Sequence, residues 1–189
     1  MDGILIVDKQ KGVTSFAVVK EVKAILRARK VGHGGTLDPL ATGVLPLFIN
    51  RATKLVPFLM NGIKKYRAIM KLGIKTDTQD RDGRVISESR NIPEDRQQII
   101  QVLSSFTGTS KQIPPMFSAL KVNGTPLYKL ARKGISLERT PRTISINVLR
   151  VTDITLPYVT FEVTCSAGTY VRTLCADTGE KLGCGAHLT

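Results

Sequence analysis

The sequence is poor in the residues that hold metal ions or form disulfides. It has two histidines and three cysteines among 189 residues, and no cysteine lies at metal-ligand spacing from another. So few histidines argue against a histidine-based metal site. An odd, sparse set of cysteines is typical of a reducing cytosol, so we expect a cytoplasmic protein. The cysteines are then expected to be small core residues: Cys165, Cys175 and Cys184.

Long apolar segments are also missing. We find no apolar run of about 18 residues, the length that a membrane-spanning helix needs. The apolar run Ile4–Val7 is too short for a signal peptide, and Asp2 and Asp8 flank it. We therefore expect no membrane partner.

Several motifs of known chemistry are absent or incomplete. The "HGG" at His33 lacks the G-x-S-x-G of esterases, and "SALK" at Ser118 lacks the companion elements of serine acyl-transfer enzymes. Neither H-E-x-x-H nor a P-loop occurs. The loop "TDTQDRDG" fails as a calcium site, because Thr78 and Ser89 stand where carboxylates are required. We expect neither a metal nor a cofactor.

Acidic residues are scarce relative to basic ones. Twenty-eight Lys and Arg face 15 Asp and Glu, which gives a net charge of +13 and a pI near 10.0. A field of this sign attracts polyanions, so nucleic acid is the first candidate partner and an anionic membrane surface the weaker second one. Mutual repulsion at this charge favours a monomer.

One carboxylate stands alone in the most basic stretch. Between Val22 and Thr76 the chain has eleven Lys or Arg, and Asp38 is its single acidic residue. An aspartate before a proline commonly forms a turn. Equally, surrounding cations would hold a reactive carboxylate ionised, as a nucleophile or base. Composition leaves both interpretations open.

The pattern of elements predicts an α+β fold with a mixed or antiparallel central sheet and flanking helices. "GILIVDK" predicts a short buried strand, followed by a helix that Thr14 or Ser15 caps. "YVTFEVTC" alternates with Val159, Phe161, Val163 and Cys165 on one face, and Gly183 ends the helix after it. Because strands and helices follow no regular βαβ order, an α+β domain over 1–189 is expected.

Five blocks of the chain together resemble one family. "GHGGTLDPLATGVLPL" resembles the signature of the TruB family of tRNA pseudouridine synthases, around the family's catalytic aspartate. The further blocks occur in the family's order: "DKQKGVTS", "KKYRAIMKLGIKTDTQDRDG", "QIPPMFSALKVNGTPLYKLARKG" and "CSAGTYVRTLCADTGEKLGCGAHLT". The resemblance covers essentially all 189 residues.

The resemblance implies an enzyme that isomerises uridine to pseudouridine at position 55 in the T arm of tRNA. No group is lost and no redox change occurs, so no cofactor is implied. The target base must be flipped out of the T loop, at a cost of roughly a few kcal/mol. The implied partner is the tRNA T stem-loop, without an obligate protein partner.

The resemblance also implies roles for individual residues. Asp38 matches the catalytic aspartate, Tyr66 the tyrosine that packs on the target base, and Arg172 the arginine that pairs with that aspartate. Two more matches concern substrate binding: His33 fills the space left by flipped nucleotides, and Tyr170 lines the uracil pocket. Six lysines are candidate contacts to the RNA backbone: Lys9, Lys20, Lys23, Lys64, Lys65 and Lys121.

The chain departs from the family pattern at three places. Gln10 replaces the usual proline, and Gly34 replaces the usual threonine, which is expected to loosen the turn beside Asp38. The chain also stops at Thr189, whereas family members continue with a closing segment and a small RNA-binding module. Two rival functions are kept as alternatives: a non-catalytic tRNA-binding or tRNA-folding protein, and a guide-RNA-dependent relative of the family.

Overall fold

The chain folds into two compact units. A computed structural model describes residues 1–189, and the units are Met1–Gly62 and Ile63–Thr189. Each unit has its own sheet, three-stranded in the first and five-stranded in the second, with antiparallel pairing throughout both. The predicted α+β class is thereby confirmed. The prediction of one catalytic domain over 1–189 concerns function and stays a prediction.

The first unit contains a small sheet covered by one helix. In chain order its elements are β1 (Gly3–Lys9), α1 (Ser15–Ile25), β2 (Val31–His33), β3 (Gly43–Ile49), a 3₁₀ helix (Asn50–Leu55) and α2 (Val56–Leu59). Strand β3 lies in the centre, with β1 on one side and β2 on the other.

Helix α1 begins where the sequence predicts. The Thr14 hydroxyl accepts a hydrogen bond from the Ala17 amide at 3.0 Å, which satisfies one of the amides that have no partner within the helix. The helix then packs onto the sheet through a small buried cluster: Val18 and Val19 from α1, and Leu45 and Leu47 from β3. This packing fixes α1 relative to the segment that precedes β3.

Strand β1 forms as predicted, but the prediction that it is buried is wrong. Ile4 is 46% exposed and Ile6 is 60% exposed, so the face of β1 that carries both side chains is left largely uncovered. A short apolar run predicts a strand without specifying how many of its faces are covered.

The second unit contains the main sheet and a larger core. Its elements are β4 (Lys64–Leu72), β5 (Ile74–Thr76), β6 (Val85–Glu88), α3 (Arg96–Ser104), β7 (Gly108–Gln112), β8 (Lys121–Val122), β9 (Thr125–Pro126), α4 (Leu127–Ala131), β10 (Arg142–Thr155), β11 (Tyr158–Cys165), α5 (Val171–Lys181) and β12 (Ala186–Leu188). The sheet order is β12-β4-β11-β10-β7, and β5-β6 and β8-β9 form separate hairpins.

The alternation of β11 builds the centre of this core. The four side chains predicted to share a face are completely buried: Val159, Phe161, Val163 and Cys165. Helices α3 and α5 add buried apolar residues to the same cluster, as flanking helices should. Gly183 ends α5 in the left-handed conformation, with φ +75°, so the predicted stop is confirmed. None of the helices is long and apolar enough to cross a bilayer.

The three cysteine thiols should be inert in the folded protein. All are free and buried, and burial raises the pKa of each thiol. Since the thiolate is the reactive form, we expect almost no reaction with Ellman's reagent near pH 8 until guanidinium chloride unfolds the chain. Complete modification in denaturant is the control. Fast labelling of any thiol in the native state would contradict this burial.

Candidate functional site

The loop that carries Asp38 is tied to the start of α1. The Ser15 side chain is buried, and its hydroxyl bonds both backbone groups of Leu37, donating to the carbonyl at 3.0 Å and accepting from the amide at 2.9 Å. Within the loop, the Ala41 amide donates to the Asp38 carbonyl at 3.0 Å. Asp38 is half-buried and makes interactions of its own. The carboxylate therefore sits on a turn whose backbone is held on both sides.

Lys9 is a second support of this loop. Its side chain is fully buried, and its ammonium group donates to the carbonyls of Val13 at 2.8 Å, Gln10 at 3.0 Å and Pro39 at 3.3 Å. Burial lowers the pKa of this lysine, and the nearby negative charge of Asp38 partly opposes that change. An enclosed ammonium group cannot reach a phosphate. The prediction of an RNA-backbone contact at Lys9 is therefore corrected to a structural role beside Asp38.

His33 ends β2 on the other side of the same loop. Its side chain is half-buried, and its Nδ1 atom is buried without a hydrogen-bond partner. The next residue, Gly34, donates its amide to the Pro46 carbonyl at 2.8 Å, which continues the pairing of β2 with β3. His33 thus lies at the start of the turn that leads to Asp38, and its predicted role in filling vacated space stays a prediction.

Gly34 lies in a tightly packed part of the turn, and the expectation that it loosens the turn stays a prediction. Gly34 is buried, and a β-carbon at this position would overlap the Met60 side chain and approach Cε2 of Phe48 to 2.9 Å. The space that a side chain at position 34 would fill is therefore already occupied. Met60 follows α2 and lies 26 positions along the chain, so no local pattern indicates this contact.

Replacement of Gly34 should therefore destabilise the first unit by overpacking. We expect Gly34→Ala to lower the free energy of unfolding by about 1–3 kcal/mol, and Met60→Ala in the same chain to recover part of that loss. Urea denaturation of both single variants and the double variant measures the coupling. Gly32→Ala is the matched control, since an added β-carbon there meets only Cγ2 of Thr53 at 3.8 Å. Equal effects at positions 32 and 34 would refute the packing account.

In the second unit, Arg172 is buried rather than exposed. Arg172 is 5% exposed and lies in the first turn of α5. The guanidinium group donates from Nη1 to the Thr78 carbonyl and from Nη2 to the Phe117 carbonyl, both at 2.9 Å. Two backbone segments far apart in sequence thus converge on one side chain.

A carboxylate that sequence reasoning did not single out accompanies Arg172. Asp80 is buried, and its Oδ2 atom lies 3.7 Å from Nη1 of Arg172. Its Oδ1 atom accepts from the Thr78 hydroxyl at 2.6 Å and from the Asp82 amide at 3.2 Å, so the carboxylate also shapes its own loop. Asp80 belongs to the segment "TDTQDRDG", whose composition indicates only a polar loop. Its partner Arg172 lies 92 positions further along the chain, so the sequence does not indicate the pair.

Tyr66 and Tyr170 belong to the same unit. Tyr66 lies on β4 opposite Val163 of β11 and packs against the core with its side chain half-buried. Tyr170 directly precedes α5 and is also half-buried. The structure therefore places one tyrosine on the sheet and one at the helix start, two residues before Arg172. Their predicted substrate contacts stay predictions.

Gln112 fixes the backbone of Tyr170. This buried amide accepts from the Tyr170 amide at 2.8 Å and donates to the Tyr170 carbonyl at 3.1 Å. Helix α5 has no side-chain cap from its own N-cap residue, Tyr170, and Gln112 of β7 instead binds the backbone of that residue. Gln112 opens the block "QIPPMFSALK", but its role as a clamp depends on a contact 58 positions away.

Truncation of Gln112 should destabilise the start of α5. Gln112→Ala leaves both backbone groups of Tyr170 without this partner, at an expected cost of about 1–3 kcal/mol in unfolding free energy. Gln112→Glu retains the acceptor but sets an oxygen against the Tyr170 carbonyl, so a loss at least as large is expected when that buried carboxyl is ionised. Chemical denaturation measures both, with the exposed Gln98→Ala as control. A change no larger than that of the control would show that the clamp is unimportant.

The remaining lysines differ in exposure. Lys20, Lys23, Lys65 and Lys121 are exposed, and Lys64 is half-buried at the start of β4. Lys65 also lies 3.5 Å from a carboxylate oxygen of Glu162. These five side chains remain candidate phosphate contacts. No group of three or more His, Cys, Asp or Glu side chains is arranged to hold a metal ion.

Comparison with protein families identifies the chain. Residues 23–171, more than half of the sequence, match the TruB family pseudouridylate synthase N-terminal domain. The matched segment includes Asp38, Tyr66 and Tyr170 and ends one residue before Arg172. The chain belongs to the TruB family of pseudouridylate synthases.

Curated relatives match the whole chain. It is 57% identical over all 189 residues to tRNA pseudouridine synthase B of Syntrophus aciditrophicus and 48% identical to that of Haemophilus influenzae. In both comparisons the alignment covers 100% of this chain and 60% of the relative. The chain thus spans about three fifths of the length of these proteins.

Solved structures share the fold. A chain in the crystal structure of a Cbf5-Nop10-Gar1 complex aligns with 99% of this chain at a TM-score of 0.74 and 36% identity, over 46% of its own length. A chain in the structure of an H/ACA RNP bound to a substrate RNA containing 2'-deoxyuridine aligns at a TM-score of 0.69 and 33% identity, over 45% of its length.

Proposed function

We propose that this chain isomerises uridine to pseudouridine at position 55 in the T arm of tRNA. The observation that carries the proposal is the 57% identity, over every residue of the chain, to a relative named tRNA pseudouridine synthase B. The sequence blocks around Asp38, Tyr66 and Arg172 resemble the motifs of the family. The net charge of +13 supports a polyanionic substrate.

The reaction exchanges one bond for another within the same nucleoside. The bond between N1 of uracil and C1′ of ribose breaks, the base turns, and C5 bonds to C1′ while the C5 proton leaves and N1 gains a proton. Atoms and electrons balance without a second substrate, so positioned acid–base groups can carry the chemistry. This requirement fits a chain whose candidate groups are a carboxylate, a phenol and a guanidinium.

Asp38 is the proposed reacting carboxylate. Three steps are open to it: attack on the ribose, attack on the uracil ring, or abstraction of a proton from the sugar. All three need a carboxylate that is ionised and held in one orientation. Ser15 and Lys9 supply that rigidity within the first unit, since they bond the backbone on either side of Asp38.

Tyr66, Tyr170 and His33 are the proposed contacts of the flipped-out nucleotide. A tyrosine ring offers a flat apolar face to a base and a hydroxyl that can transfer a proton. His33 lies half-buried at the end of β2, and an imidazole ring can stack on a base or fill the space that a flipped nucleotide leaves. Arg172, enclosed by two carbonyls and Asp80, is proposed to supply a fixed positive charge to the reaction.

The rival functions are separable from this proposal. Two of the aligned solved structures are a Cbf5-Nop10-Gar1 complex and an H/ACA RNP, and a guide-RNA-dependent relative is therefore the nearer rival. The identity of 57% to a tRNA pseudouridine synthase B, against 36% and 33% to those structures, favours direct action on tRNA. We further propose a cytoplasmic, monomeric enzyme without a metal or cofactor.

Removal of the charge at Asp38 should abolish conversion and spare binding. We expect Asp38→Asn to lower the rate of pseudouridine formation by more than about 10³-fold, because an amide is neither a nucleophile nor a base at pH 7. Pseudouridine is detected by carbodiimide modification and primer extension on a T-arm stem-loop, and binding by fluorescence anisotropy.

Asp8→Asn provides the matched control, because Asp8 is an exposed carboxylate of the same unit. It should retain the rate of the unmodified chain. Unchanged conversion by Asp38→Asn would remove Asp38 from the reaction and refute the proposed chemistry. Loss of both binding and conversion would assign Asp38 to RNA binding instead.

A further inference from the structure

An exposed aromatic ring and a cation form a pair on the first turns of α1. Phe16 is 61% exposed, and the Lys20 ammonium group lies 5.1 Å from the centre of its ring. The two residues are four positions apart, so they lie on the same face of the helix. The core of the unit takes Val18 and Val19 instead, which leaves Phe16 outside the buried cluster. The ring therefore contributes little to the fold.

The position of this pair is fixed relative to the Asp38 loop. Ser15, the residue before Phe16, is buried and bonds both backbone groups of Leu37, the residue before Asp38. The backbone that carries Phe16 is thus tied to the backbone that carries Asp38, through Ser15–Leu37 contacts of 2.9 and 3.0 Å. The helix start that carries Phe16 and the loop that carries Asp38 are therefore held together within the first unit.

The basic residues around Phe16 favour a partner that carries negative charge. The exposed surface of α1 carries Lys20 and Lys23, Arg27 follows the helix, and Glu21 is the helix's single acidic residue. An apolar or acidic protein surface would leave the ring or the cations without a matching group. A nucleotide matches both, because its base stacks on aromatic rings and its phosphate pairs with lysine.

We propose that Phe16 and Lys20 form a binding subsite for one nucleotide of the RNA substrate, outside the reacting uridine. The base stacks on the Phe16 ring and the adjoining phosphate pairs with the Lys20 ammonium group. This inference rests on the proposed function for the identity of the RNA. Since stacking on a ring tolerates every base, the subsite adds affinity and register rather than sequence preference.

Binding of a T-arm stem-loop to the 189-residue chain tests the subsite. We expect Phe16→Ala to raise Kd about tenfold, a typical effect of losing one stacked base, while Phe16→Tyr keeps Kd within about twofold. The rate of conversion at saturating enzyme should change less than about twofold for either variant, because the subsite does not touch the reacting atoms.

The two members of the pair should differ in their response to salt. Lys20→Ala should reduce the slope of log Kd against log salt by about 0.7–0.9, the contribution of one phosphate contact. Phe16→Ala should raise Kd and leave that slope unchanged. Two matched controls lie in the same unit: Phe58→Ala, at an 82% exposed ring, and Lys54→Ala, at an exposed lysine of the 3₁₀ helix.

Equal Kd values for Phe16→Ala, Phe58→Ala and the unmodified chain would overturn the subsite. So would a loss of affinity in Phe16→Tyr as large as in Phe16→Ala, since a tyrosine ring stacks equally well. These outcomes are distinct from failure of the proposed function, which would appear as tight binding without pseudouridine by the unmodified chain. The Kd comparison decides the subsite in that event too.

Discussion

A cation that is removed from water needs oxygen atoms around it, and this constraint shapes the surroundings of Asp38 in the first unit and, separately, those of Asp80 in the second. In the first unit the Lys9 ammonium group donates hydrogen bonds to three carbonyls, including that of Pro39, the residue after Asp38. In the second unit the Arg172 guanidinium group donates hydrogen bonds to the carbonyls of Thr78 and Phe117. In each case loops that no strand pairing would hold are fixed by a buried positive charge.

The consequence for chemistry is preorganisation. A reacting carboxylate contributes most when its orientation does not have to be found during the reaction. Ser15 and Lys9 hold the backbone on both sides of Asp38, while Asp80 and Gln112 hold the surroundings of Arg172 and Tyr170. The positions of the residues proposed to react therefore depend on the hydrogen bonds and ion pair that these supporting residues make. Family membership and the basic charge support RNA as the proposed substrate.

Local patterns were predictable from the sequence, and distant contacts were not. The alternation in "YVTFEVTC" and the Thr14 cap depend on residues within a few positions, so the sequence indicates them correctly. Three features depend on residues that are 26 to 58 positions apart in the sequence. They are the contact of Lys9 with Pro39, the packing of Met60 against Gly34, and the hydrogen bonds of Gln112 to Tyr170. Lys9 was predicted to be a surface cation that contacts RNA, because the charge of a lysine does not indicate whether its side chain is buried.

The proposed isomerisation is tested most directly by tritium release. A T-arm stem-loop labelled with tritium at C5 of its uridine loses the label only when C5 exchanges its hydrogen for the bond to ribose. We expect the 189-residue chain to release tritium from uridine 55 in multiple turnovers. Tight binding of the same RNA without any release of tritium would contradict the account and identify the chain as a binding protein.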